Sequence, residues 1–134
     1  MSEPSSAAGE PRAIVAGHGD FAAGLVSAVE QITGQGGQFI PVAVQRLGLQ
    51  AIEELLRARI VETGVKVVFT DLQAGSCTMA ARRILRGLEG TILVAGTNLP
   101  TLLDFVFATA EPVQAARHAA ERGRAAICVF GEGE

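Results

Sequence analysis

Ala13-Ile-Val-Ala-Gly-His-Gly-Asp20 joins a short apolar run to a histidine held between two glycines, and a helical pattern begins directly after it. The unbroken run from Arg12 to Ala16 reads as a strand covered on both faces. Phe21, Leu25, Val29 and Ile32 then recur at roughly four-residue spacing, on one face of a helix. A strand that turns at once into a helix is half of a βαβ unit. Its turn lies at the carboxyl edge of the sheet, where α/β proteins bind their ligands. His18 stands in that turn, and imidazole is well suited to accept and pass on a group near neutral pH.

The same alternation continues along the chain. Phe39 to Val44 reads as a second strand, with Pro41 pointing to an edge position or a bulge. Ile52, Leu55, Leu56 and Ile60 form the stripe of a second helix closed by Gly64, and Val65 to Thr70 is a third strand ending at Asp71. Gln73-Ala-Gly-Ser-Cys77 leads into a third helix carrying Met79, Ile84, Leu85 and Leu88. Thr91 to Ala95 is a fourth strand, and Gly96-Thr-Asn-Leu-Pro100 opens a fourth helix with Pro100 in its first turn. Glu111 to Arg124 is a fifth helix, and Ala126 to Phe130 a last short strand. The expected fold is α/β: a doubly wound, mainly parallel sheet with helices on both faces and a short C-terminal edge strand. Residues 1–11, rich in Ser, Ala, Pro and Gly, read as a flexible tail, and residues 12–134 as one domain.

Composition narrows the function. A chain of 134 residues, 49% hydrophobic, suits one domain with a substantial core. A net charge of -3 without a dense Lys/Arg block argues against a nucleic-acid surface, and the lack of Trp and Tyr argues against a base-stacking platform. Cys77 and Cys128 lie far apart with no CxxC spacing, as expected of reduced thiols and not of a zinc site or disulfide scaffold. The N-terminus lacks the order of a signal peptide and no apolar run approaches membrane-spanning length, so a cytoplasmic protein is expected.

Gly17-His18-Gly19-Asp20-Phe21-Ala22 also satisfies the loose dinucleotide pattern G-x-G-x-x-G/A. That fold needs an acid near the end of the second strand to hold a ribose, and the strand here ends Val44-Gln45-Arg46. Asp71, ending the third strand, projects near the same sheet edge as His18. A carboxylate there can accept the Nδ1 proton and leave the Nε2 lone pair facing outward; the plainer reading is a turn or cap acid. Gly75 and Ser76 open a helix whose free N–H groups and dipole make an anion site, with Ser76 adding a hydroxyl donor or capping the helix. Nucleophilic imidazole, orienting carboxylate and anion cradle together suggest phosphoryl transfer through a phosphohistidine. No GxxxxGK[ST] loop and no acidic cluster for Mg²⁺ is evident, so neither a metal nor another cofactor is expected. Asp20 and Asn98 either line this edge or cap helices. His118 falls off the Val113, Ala116, Ala120 stripe and is expected to face solvent.

The chain resembles the IIA domain of the mannose-type branch (mannose, fructose and sorbose) of the bacterial phosphoenolpyruvate-dependent sugar phosphotransferase system. The resemblance is carried by Ile14-Val-Ala-Gly-His-Gly-Asp-Phe-Ala-Ala-Gly-Leu25 with Ser27-Ala-Val-Glu30, by Val68-Phe-Thr-Asp-Leu-Gln-Ala-Gly-Ser76, and by Ala95-Gly-Thr-Asn-Leu-Pro100 followed by Leu102. It implies a phosphocarrier in which His18 takes a phosphoryl group on Nε2 from phospho-HPr and passes it to a IIB component. Asp71 would hydrogen-bond that histidine, and Gly75 and Ser76 would hold the phosphate. It also implies a homodimer that exchanges a C-terminal strand, here Ala126 to Phe130, and contact with the membrane only through permease subunits. A regulatory phospho-switch of the same fold, or a phosphoryl donor to a dihydroxyacetone-kinase partner, are the alternatives. Where the family usually has Gly-Gly-Ser-Pro, this chain has Ala74-Gly75-Ser76-Cys77. Ala74 resists positive φ, and Cys77 stands at a helix start, where thiolate is favoured and a redox-sensitive position is one reading; the plainer expectation is a small packed side chain.

Overall fold

A computed structural model describes residues 10–133. Most of the expected N-terminal tail, residues 1–9, lies outside the described residues; Glu10 and Pro11 are exposed. The chain then runs through β1 (Ala13–Gly17), α1 (Phe21–Thr33), a short 3-10 turn (Gly36–Gln38), β2 (Phe39–Ala43), α2 (Leu49–Thr63), β3 (Val67–Thr70), α3 (Ser76–Leu85), β4 (Ile92–Val94), α4 (Leu99–Phe107) and α5 (Pro112–Ala125). The four strands form one sheet in the order β2-β1-β3-β4, with every pair parallel. Pro41 sits on the edge strand β2, where its missing N–H costs no ladder bond.

Side-chain alternation along the strands divides the core between two faces. Ala13, Val15, Val67 and Phe69 point to one side and pack with Val29 of α1, Leu102 and Phe105 of α4, and Ala115, Ala116 and Ala119 of α5. Ile14, Ala16 and Val68 point to the other and meet Ile52, Leu56 and Ile60 of α2 and Ala80, Ala81 and Ile84 of α3. All five residues of β1 are buried, which explains why its sequence shows a continuous apolar run and no alternation. Phe39, Phe69 and Phe105 interlock on the first face, with Phe69 and Phe105 edge to face at 5.2 Å between ring centroids. Ile32, expected in the α1 stripe, is instead 60% exposed on the last turn of that helix.

β1 connects to β2 on one side, while its other neighbour is β3, so the order in which successive strands are laid across the sheet reverses between β1 and β3. This is the switch point at which a crevice opens beyond the carboxyl ends of the strands. The residues that follow β1 and β3 are His18 and Asp71.

One expected element does not form among the described residues. Ala126–Phe130 forms no strand; Ile127, Val129 and Phe130 are all strongly exposed. A strand exists only against a ladder partner, and this segment lies along none among the described residues. Among the described residues the outer edge of β4 is likewise unpaired. It floors a groove of about 850 Å³ walled by Leu85 and Arg82 on one side and Arg117, Ala120 and Arg124 on the other.

Candidate active site

β1 and β3 are paired in register, Ala16 opposite Thr70, so the residues that leave the two strands emerge side by side. His18 stands in the turn before α1, kept tight by a bond from the Phe21 N–H to the His18 carbonyl. Gly19 takes a φ of 55° in the same turn, which a side chain would resist. The His18 ring is half exposed, and the Asp71 side chain is only 10% exposed.

Asp71 Oδ2 lies 2.8 Å from His18 Nδ1 and also accepts the His18 backbone N–H at 2.9 Å. Both the ring and the main chain of one residue are therefore fixed by one oxygen. With Nδ1 against a carboxylate, the neutral ring keeps its proton on Nδ1 and carries its lone pair on Nε2. Burial by itself would raise the Asp71 carboxyl. The bonds from the His18 backbone and ring, with the attraction of its charge, outweigh that and hold the carboxyl below the usual value.

Nε2 faces the start of α3. Ser76 Oγ is 3.5 Å away, a weak contact at the limit of hydrogen-bond range. Ser76 does not cap its own helix: the N-cap residue is Gly75, and no side chain bonds there. The first intrahelical bond of α3 runs from the Met79 N–H to the Gly75 carbonyl, so the N–H groups of Ser76, Cys77 and Thr78 precede the bonded ladder. Such a helix start attracts an anion through its N–H groups and its dipole. The left-handed φ of this turn, 117°, falls on Gly75, and Ala74 avoids positive φ. Replacement of the family's first glycine by Ala74 therefore leaves the turn without strain at that position.

Two threonines that sequence reasoning passed over hold this loop. Thr78 donates its hydroxyl to the Leu72 carbonyl, and Thr70 Oγ1 lies 2.7 Å from Thr78 Oγ1 in the buried interior. The end of β3 is thus tied to the first turn of α3 across the segment that carries Asp71, Gly75 and Ser76. The signal available in sequence was a hydroxyl residue in the first helical turn, which is too common to single out.

Cys77 is fully buried, and burial together with the nearby Asp71 charge pushes its thiol up to about 12. It is a packed, protonated side chain at neutral pH, so the thiolate character favoured at a helix start does not develop here. Asn98 caps α4, its Oδ1 accepting from the Thr101 N–H at 3.0 Å, while its Nδ2 donates to the Gly123 carbonyl of α5. Asp20 precedes α1 without a side-chain cap bond. His118 is exposed, as its periodicity indicates, and its Nδ1 lies 2.8 Å from Asp104 Oδ2, a pairing between α4 and α5 that periodicity within one helix does not reveal. Among the described residues no group of three or more His, Cys, Asp and Glu is placed to hold a metal ion. Among them, too, no helix is long and apolar enough to cross a membrane.

Residues 12–120 match the family described as PTS system fructose IIA component. Solved structures share the fold. The mannose/sorbose-specific IIA subunit of the phosphotransferase system from Enterococcus faecalis superposes with a TM-score of 0.83 at 22% identity, over 93% of this chain and 98% of that one. A PTS IIA protein associated with the fucose utilization operon of Streptococcus pneumoniae gives 0.70 at 21% identity, over 84% and 89%. Phosphotransferase system component EIIA from Streptococcus agalactiae gives 0.67 at 19%, over 84% and 93%. No curated protein matches the chain significantly.

Proposed function

This chain belongs to the fructose IIA component family of the phosphotransferase system, and on that premise we propose that it is a cytoplasmic phosphocarrier whose His18 accepts a phosphoryl group from phospho-HPr and hands it to a IIB component during carbohydrate uptake. The observation that carries the reading is the 2.8 Å contact between His18 Nδ1 and Asp71 Oδ2, which leaves Nε2 as the nucleophile.

In this reading the Nε2 lone pair forms a bond to phosphorus as the N–P bond of the donor phosphohistidine breaks, and the donor imidazole leaves with that electron pair. The proton on Nδ1 stays in place, and the ring's growing positive charge is balanced by the ionised Asp71. The N–H groups at the start of α3 and the Ser76 hydroxyl face the incoming phosphoryl oxygens, and the left-handed turn at Gly75 aims them. Because the donor already carries an activated group, positioning and charge stabilisation are sufficient catalysis. Transfer to IIB repeats the step with the roles exchanged.

The same reading includes a homodimer. Among the described residues, the free edge of β4 and the exposed Ile127, Val129 and Phe130 are complementary needs, a ladder without a partner and an apolar segment without cover. A second copy supplies the missing strand to the groove beside β4.

Incubation with enzyme I, HPr and phosphoenolpyruvate tests the function. The expected product is a singly phosphorylated protein that loses its label to a partner IIB domain; absence of any label in the presence of active phospho-HPr would overturn it.

A further inference from the structure

Gly17 is the last residue of β1, and the β1–β3 register that sets Ala16 against Thr70 continues one step to bring Gly17 beside Asp71. A Cβ placed on Gly17 would lie 2.9 Å from Asp71 Oδ2, 3.0 Å from Asp71 Cγ and 2.7 Å from Phe21 Cδ2. Carbon and carboxylate oxygen do not approach so closely without displacement. The backbone of Gly17 is not in the left-handed region, so alanine meets no conformational barrier there and the exclusion is purely one of space. Gly75 differs: a Cβ there would find only ordinary neighbours at 3.5 Å and beyond, and glycine is needed for its φ.

The space left by Gly17 is occupied by the oxygen that matters most to His18. Oδ2 takes both the backbone N–H and Nδ1 of His18, at 2.9 and 2.8 Å. Among the described residues Asp71 Oδ1 is buried without a hydrogen-bond partner, so both bonds to His18 run through Oδ2. Moving the carboxylate outward by about half an ångström would lengthen both bonds towards the limit of useful geometry.

We propose that Gly17 is a positioning residue for phosphoryl acceptance: its missing side chain is the seat in which Asp71 holds the His18 ring with Nε2 free to attack. The inference rests on the reading of His18 as acceptor, and its test separates the two. In Gly17→Ala, the ¹⁵N resonances of the His18 imidazole report the tautomer directly, without phosphorylation, and labelling by phospho-HPr reports the rate. The expected result is loss of the Nδ1-protonated preference and labelling slowed tenfold or more, a size set by one weakened charge-assisted bond. The double variant Gly17→Ala/Phe21→Leu removes the aromatic neighbour, supplies a folded protein should the single variant fail, and is expected to keep both defects. In an Asp71→Asn background, adding Gly17→Ala should change the rate little, because the two act through one contact. A wild-type tautomer and rate in Gly17→Ala would overturn the proposal. So would recovery of both in the Phe21→Leu double variant, which would assign the effect to the ring. A wild-type protein that takes no label would instead remove the acceptor reading, leaving the tautomer comparison to decide the role of Gly17.

Discussion

Asp71 Oδ2 accepts two hydrogen bonds from His18, one from the backbone N–H and one from the ring, so the carboxylate fixes where the residue is and which way its imidazole faces. Asp71→Asn keeps the shape and removes the charge. Phosphoryl acceptance should slow by on the order of 10²-fold, the scale of one lost electrostatic partner in a preorganised site. Rates from intact-protein mass measurement, set beside an unchanged circular dichroism spectrum, check this; an unaltered rate would remove the orienting role.

The same pair sets an acid dependence. The Asp71 carboxyl is lower in the folded protein than in the unfolded chain, so its contribution is fully present above the ordinary carboxylate range and is lost as the pH falls through the folded value. Wild type should therefore be more stable than Asp71→Asn at neutral pH, with the gap closing in strong acid. Thermal melts of both proteins across that range measure it, and a gap that widens on acidification would contradict the sign.

At the start of α3, the two candidate phosphate-holding residues should fail differently. Ser76→Ala removes one hydroxyl at 3.5 Å from Nε2 and should slow transfer several-fold with stability unchanged. Gly75→Ala forces a side chain into a φ of 117°, a cost of about 1–3 kcal/mol. It should lower the melting temperature and reduce transfer more than Ser76→Ala does.

Cys77 should be inert while the protein is folded. In a Cys128→Ser background, a thiol reagent at pH 8 should modify Cys77 only after unfolding, because its thiol is buried and pushed up to about 12. Rapid modification of the native protein would show that the start of α3 opens.

Oligomeric state tests the role of the C-terminal segment. Light scattering should find a dimer for the full chain and a shift to monomer when residues 126–134 are removed. A truncated protein that stays dimeric would place the interface elsewhere.

Much of this was legible in the sequence because burial dictates pattern. β1 and β3 are covered on both faces and read as unbroken apolar runs, and the glycines at positions 34 and 64 end α1 and α2 in left-handed caps. His18 and Asp71 could be brought together because parallel strands deliver their carboxyl ends to one edge. What stayed hidden depends on partners distant in sequence. Ala126–Phe130 has strand-like composition, but a strand is a property of a pair, and among the described residues that pair is not made. The link from His118 to Asp104 and the close approach of Gly123 to Thr101 arise where α4 and α5 pack, which neither helix's own periodicity encodes. The space beneath Gly17 is likewise visible only once Asp71 is in place.

The most direct measurement is nitrogen-resolved detection of phosphohistidine after incubation with enzyme I, HPr and phosphoenolpyruvate, for wild type and His18→Ala in parallel. The account predicts one phosphoryl group on Nε2 of His18 in the wild type and none in the variant. Label that survives in His18→Ala, or that sits on Nδ1 in the wild type, would contradict it.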